Sequence, residues 1–221
     1  MVDNHKNTAR SIVKSSLLLG IFALVTTAVL AFTAELTKEH ITKAEREARQ
    51  KALFDILPRT SHNNDLLTEV IQVPNDAWSG LGLKNGGEIH VARRADNRVA
   101  LIIPAIAPDG YSGEIRLIVG VNADGTIAGV RILDHHETPG LGDKIDVQKS
   151  PWVLAFNGKS LQNPISSQWK VKKDGGKFDQ FAGATITPRA VVNQVRQVLE
   201  FVDAHRDELF QKSSTLPESK P

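Results

Sequence analysis

The 221-residue sequence predicts an α+β fold, in which an N-terminal transmembrane helix and a helical stalk precede a domain of antiparallel sheet and packed helices. Three observations carry this reading. Residues 15–34 run through Leu, Ile, Val, Ala, Phe and Thr without a single charge, close to the length that spans the ~30 Å apolar core of a bilayer. Between residues 88 and 134, segments rich in β-branched residues are separated by short turn sequences. Near the C-terminus, Val191, Val195, Val198, Leu199 and Val202 recur at helical spacing.

Composition narrows the function classes. A chain of 221 residues with 41% hydrophobic content suffices for one domain with a sizeable core plus an appendage. The net charge of +2 is small and the basic residues form no long run, so nothing calls for nucleic acid. Cysteine is absent, which excludes disulfides, thiolate-bound iron–sulfur clusters and thiol catalysis within this chain.

The chain divides into residues 1–14 on the cytoplasmic side, a transmembrane helix at 15–34, a helical stalk and connector at 35–65, the folded domain at 66–211 and a disordered tail at 212–221. Lys6, Arg10 and Lys14 precede the apolar run against the single acid Asp3, so the positive-inside rule puts the N-terminus in the cytoplasm and all that follows the span across the membrane. A cleaved signal peptide ending near Val29-Leu30-Ala31 is the rival reading. The apolar run exceeds the usual signal core of about 7–15 residues, which favours an uncleaved anchor in contact with membrane lipid. Residues 34–57 lack Gly and Pro and stop at Pro58, so the helix continues outward as a polar stalk. Ile41, Ala44, Ala48 and Ala52 form its weakly apolar face, and Glu45 and Arg49 are spaced for an i, i+4 pair.

Strands are expected at 69–73, 88–94, 98–106, 114–121 and 126–134, with one more at 169–173. Ala95, Asp96 and Asn97 make the first hairpin, and Asn122-Ala123-Asp124-Gly125 makes a later one; such short connections imply an antiparallel meander. Residues 151–157 form a short apolar segment, with Trp152 and Phe156 as core rings.

Two irregular stretches carry the chemistry. The second reads Asp-Gln-Phe-Ala-Gly-Ala-Thr-Ile-Thr over residues 179–187, followed by Pro188. Pro188 suits the first helical position and Thr187 the N-cap before it. A helix start exposes N–H groups and the positive end of the dipole, a natural place for a phosphate. Gly183 and Ala184 leave the backbone open to close approach, and Thr185 keeps a hydroxyl free for esterification. A plain capped helix explains Thr187 and Pro188 but leaves Thr185 and Asp179 without a task. Lysines at 172 and 173 stand just upstream, either as a solvated loop or as charges near a phosphate. The first stretch, His135-His136-Glu137-Thr138-Pro139-Gly140-Leu141-Gly142, contains metal-type side chains, but neighbours on extended backbone point to opposite faces, so a polar loop is favoured over a metal site.

Both stretches resemble signatures of one family. Asp-x-x-(Ser/Thr)-Gly-Ala-Thr is similar to the pattern on which a flavin transferase joins FMN through its phosphate to the last threonine, here Thr185; Ala182 stands where the family has Ser or Thr. His-x-Glu-Thr-Pro-Gly-Leu-Gly is similar to the second signature of the FMN-binding domain shared by the RnfG (RsxG) and NqrC families, and with the anchor and Asp109-Gly110-Tyr111-Ser112-Gly113 the order matches RnfG. The resemblance implies covalent FMN, with Gly183, Ala184, Thr185 and Thr187 at the attachment site and Glu137 and Thr138 beside the flavin. It also implies an electron carrier without substrate chemistry of its own, placed on the periplasmic side of a bacterial inner membrane. Its partners would be the other Rnf subunits (RnfA, RnfB, RnfC, RnfD and RnfE), in a complex linking electron flow between ferredoxin and NAD to ion movement. Two other readings stay open: a membrane-anchored scaffold with a vestigial flavin motif, and a flavin module feeding an extracytoplasmic reductase. The topology is testable at once. A reporter active only in the cytoplasm, fused after Pro221, should be silent, and an active fusion would refute the orientation.

Overall fold

The computed structural model describes the backbone of residues 2–210 and their side chains apart from 2–13, 15 and 39–50. The side chains of Lys6, Arg10, the Glu45–Arg49 pair and the stalk face at Ile41, Ala44 and Ala48, together with the tail at 212–221, lie outside what is described. Two units are present, Met1–Ala48 and Arg49–Pro221. One helix, α1 (Val2–Ile56), supplies nearly all of the first and the opening turns of the second. In the first unit the stretch Ser16–Lys38 has a mean hydropathy of 2.3 and none of it is buried, which gives it the length and composition of a membrane span. Thr26, Thr33 and Thr37 turn their hydroxyls back onto the helix, onto Phe22 O, Val29 O and Thr33 O, so these three add no exposed donor to an apolar surface.

The second unit is built on a five-stranded antiparallel meander in the order β1-β2-β3-β4-β5. Its strands are β1 (Val70–Gln72), β2 (Glu88–Arg94), β3 (Asn97–Ala107), β4 (Ile115–Asn122) and β5 (Ile127–Asp134). The β2–β3 hairpin closes through Arg94 opposite Asn97, with Ala95 at a φ of 54°. A left-handed Ala is costly, and the tight two-residue turn demands it. The β4–β5 turn is fixed by Asp124, whose Oδ1 accepts from Thr126 N–H and hydroxyl, and by Gly125 at a φ of 85°.

Both faces of this sheet are apolar, so both need cover. On one face Leu101, Ile103, Ala105, Leu117, Val119 and Val121 meet α2 (Ile186–Ala204), whose buried stripe contains Val191, Val195, Val198, Leu199 and Val202. A short α3 (Arg206–Phe210) follows, adding Leu209 to the same core. On the other face Ala92, Ala100, Ile102 and Ile118 are covered by Leu53, Ile56 and Leu57 from the end of α1 and by Leu66 from the connector.

Ile56 is the close contact on that second face. Gly120 of β4 and Gly129 of β5 pair across the strands, and a Cβ at Gly120 would overlap the Cγ2 of Ile56. A Cβ at Gly129 would lie 3.4 Å from the Cγ1 of Ile56. The two glycines form a dish in which Ile56 sits.

The segment at 169–173 is not a strand. It breaks into 3-10 turns at Ser166–Gln168 and Lys172–Asp174, with Val171 making only an isolated bridge to Phe178. Trp169 explains this: its ring is buried and its Nε1 donates to Ser160 O and Pro164 O, which bends the chain away from any ladder. Residues Pro151–Phe156 form a 3-10 helix, capped by Ser150 Oγ accepting from Trp152 N–H.

Gly120→Ala is expected to cost about 1–3 kcal/mol through overpacking. Ile56→Ala is expected to cost about 2–5 kcal/mol through the cavity it leaves. The double variant should lose less than the sum, because the new methyl enters the space Ile56 vacates. Urea unfolding of the three variants checks this, and simple additivity would remove the dish.

Candidate flavin site

The start of α2 is held by the core behind it and by aromatic rings beneath it. Phe156 stacks on Phe178 with centroids 4.7 Å apart, and Trp169 lies 4.9 Å from Phe178. Trp152 meets Phe181 edge-on at 5.1 Å, and its Nε1 donates to Asp179 O at 2.8 Å. The loop over residues 179–185 thus rests on an aromatic floor through Phe181, while Ala182 and Gly183 are exposed. Gly183 has a φ of 79°, which only a residue without Cβ adopts cheaply. It reverses the chain, and Ala184 N–H donates to Phe181 O at 3.1 Å.

The helix begins at Ile186, two residues earlier than Pro188 implied, and Thr185 stands at the N-cap position. The expected cap, Thr187, is therefore corrected: it lies inside the first turn, is completely buried, and gives its hydroxyl to Glu137 Oε2. Proline is tolerated anywhere in the first turn, where N–H groups lack helical partners, so Pro188 marked the turn and not its first residue. Thr185 is half-buried and makes no side-chain capping bond; among the described residues its hydroxyl has no hydrogen-bond partner. Its carbonyl accepts from Arg189 N–H at 3.3 Å and closes the first turn.

The Glu-Thr-Pro-Gly-Leu-Gly loop comes to the same place from the end of β5. Thr138 O accepts from Leu141 N–H at 3.1 Å and Gly142 N–H at 3.0 Å, which folds the loop into a compact turn. That turn places the Cδ2 of Leu141 3.8 Å from where a Cβ on Gly183 would stand, so the two loops meet. The Thr138 side chain is exposed, whereas Glu137 is only 4% exposed. Glu137 Oε1 accepts from Ser112 N–H at 3.0 Å and Oε2 from the Thr187 hydroxyl. His135 Nδ1 accepts from Glu137 N–H at 3.1 Å, while His136 is exposed.

Charge surrounds the loop on its outer side. Lys172 pairs with Asp179 at 2.5 Å. Arg189 grips Asp174 through both arms, at 2.7 and 3.0 Å. The hydrogen bond from Arg189 holds the Asp174 carboxyl below the usual carboxylate range, and the same bond raises the guanidinium. Lys173 N–H donates to Gln180 Oε1 at 3.1 Å. Neither Asp179 nor Asp174 is idle: each ties a cation to the frame of the loop before α2.

These residues fit a phosphate ester of FMN. A hydroxyl without a partner stands at a helix start, a glycine leaves the backbone beside it uncovered, and Leu141 and Ile186, 43% and 44% exposed, offer apolar surface on either side. Sequence reasoning missed Leu141, Ile186, Ser112 and the Arg189–Asp174 pair. Leu141, Ser112 and Ile186 had a signal, since each lies within a stretch that the sequence singles out, whereas the Arg189–Asp174 pair had none.

Comparison with known proteins agrees with this arrangement. Residues 110–200 match the FMN-binding domain profile, and residues 2–56 match that of the RnfG N-terminal region. The G subunit of the ion-translocating oxidoreductase complex of Pseudomonas aeruginosa is 51% identical over 203 residues, covering 92% of this chain and 94% of that one. The corresponding protein of Shewanella amazonensis is 48% identical over 203 residues, with the same coverage of both chains. That of Vibrio vulnificus is 45% identical over 197 residues, 89% of this chain and 92% of the relative. With both signature loops meeting at the start of α2 and likeness of this extent along the chain, the protein belongs to the RnfG family of ion-translocating oxidoreductase complex components.

Proposed function

We propose that this chain is the flavin-carrying, membrane-anchored subunit of an ion-translocating oxidoreductase complex, and that FMN is esterified through its phosphate to Thr185. The observation that carries this reading is the unpartnered Thr185 hydroxyl at the N-terminus of α2, beside the turn in which Leu141 meets Gly183. Attachment makes one bond and breaks one. Thr185 Oγ bonds to the phosphorus of a flavin dinucleotide, the anhydride bond breaks, a nucleoside monophosphate leaves, and the hydroxyl proton passes to a base on the transferase or to water. The resulting diester keeps about one negative charge, which the first-turn N–H groups and the helix dipole favour.

When bound, the flavin supplies reversible one- and two-electron chemistry. The chain's own residues hold it. Gly183 and Ala184 would let it approach the backbone, Thr187 and Glu137 fix the helix start, and Thr138, Leu141 and Ile186 would border it. No nucleophile–base pair serving a substrate is required of such a carrier. In the complex this subunit relays electrons between the ferredoxin and NAD sides, in contact with the other Rnf subunits, and the relay is coupled to ion movement. Its domain lies on the periplasmic side of the inner membrane, reached by α1.

Thr185→Val is expected to abolish in-gel flavin fluorescence after denaturation, and peptide mass analysis of the unaltered protein should find FMN on Thr185. Label that persists in Thr185→Val, or FMN mapped to Thr187, would overturn the assignment.

A further inference from the structure

We propose that Glu137 is a positioning residue: its buried carboxylate clamps the first turn of α2 through Thr187, and this sets the Thr185 hydroxyl for esterification. The inference rests on the reading of Thr185 as the attachment residue and adds what holds that residue in place.

The carboxylate is buried, with Glu137 only 4% exposed. Oε1 takes the Ser112 N–H and Oε2 takes the Thr187 hydroxyl, so one group joins the β3–β4 loop, the segment after β5 and the start of α2. A carboxylate offers acceptors alone, and each of its neighbours here brings a donor. Two glycines make the space. A Cβ at Gly110 would come within 2.9 Å of Oε1, and one at Gly142 within 2.8 Å of Oε2 and 2.9 Å of Thr187 Oγ1. Gly142 is itself buried and pinned to Thr138 O, so the tightness is built into the loop that borders the site.

The clamp is the buried side-chain hydrogen bond of the first turn among the described residues, and it acts where the core behind the helix does not reach the Thr185 side chain. Thr185 makes no capping bond, so apart from the solvent-facing Arg189–Asp174 pair the first turn is anchored by side-chain hydrogen bonding at Thr187 alone among the described residues. Thr187 lies two residues from Thr185, within one helical turn. A long-range bond at Thr187 therefore limits the motion of Thr185, while leaving the Thr185 hydroxyl unspent. A nucleophile held in one geometry reacts faster than one that samples many.

Removing one partner strands the other in a buried place, whereas removing both leaves neither unsatisfied. This gives the test its form. Full-length Glu137→Ala, Thr187→Val, the double variant, Thr187→Ser and Gly142→Ala are incubated with flavin transferase and flavin dinucleotide, and the rate of FMN addition at saturating dinucleotide is followed by intact mass. Amide exchange over residues 185–190 is measured on the same chains before labelling.

Glu137→Ala, Thr187→Val and Gly142→Ala should each slow addition by tenfold or more without changing its site, and each should lose protection at the helix start. Thr187→Ser, which keeps the hydroxyl, should label at the rate of the unaltered chain. The double variant should be no slower than the slower single variant. Rates and protection unchanged in Glu137→Ala would overturn the proposal, as would losses that multiply in the double variant. Should the unaltered chain take up no FMN at Thr185, the attachment reading falls, and the exchange data alone still decide whether the clamp exists.

Discussion

A sheet that is apolar on both faces has to be covered twice, and this constraint places everything else in the second unit. β3 and β4 alternate their side chains between two cores, Leu101, Ile103, Leu117 and Val119 on one side and Ile102 and Ile118 on the other. The first core takes α2 and the second takes the end of α1. Because α2 runs over the sheet as the cover of one face, a valine stripe about three turns long fixes the helix axis, and the buried Thr187–Glu137 bond then fixes its first turn. Burial of the helix body thus sets where its N-terminal end lies.

Around that terminus, two kinds of contact divide the work. Stacked and edge-on aromatic contacts under the loop from 178 to 181 supply directional support, with ring centroids 4.7 to 5.4 Å apart for the closest pairs. The ion pairs Lys172–Asp179 and Arg189–Asp174 lie at the surface, where screening leaves each worth little as stability. Their effect is geometric, since the bidentate grip of Arg189 links the loop before the signature to the helix after it. Lys172 and Arg189 also put two cations on the outer side of a site read as carrying a phosphodiester.

Local rules made most of the fold legible. Alternation and turn residues located the five strands of the meander to within a few residues, since the side-chain period of two and the Asn122–Gly125 turn act over short distances. The core reading held for Phe156, which is fully buried, whereas Trp152, expected beside it, is half-buried and turns its Nε1 outward to Asp179 O. What local rules could not supply were facts set by distant partners. Thr185 and Thr187 are both able to cap a helix, and what separates them is a carboxylate fifty residues away in sequence, through the Thr187–Glu137 bond. The segment at 169–173 has strand composition, yet the hydrogen bonds of Trp169 to Ser160 and Pro164 override it. The Glu137 side chain, adjacent to an exposed histidine and an exposed threonine, gave no local sign of pointing inward.

Ile56 in its glycine dish bears on where this chain can be shortened. By composition the natural cut lies at Pro58, after the charged stalk ends. A fragment beginning there would lack Leu53, Ile56 and Leu57 and would leave Ile102, Ile118 and the Gly120–Gly129 hollow open to water on a sheet face. Exposed sheet surface of this kind invites pairing between molecules. A soluble fragment that keeps the last turns of the helix from Arg49 onward carries its own cover, so secretion or crystallisation of the domain without its anchor starts from that residue.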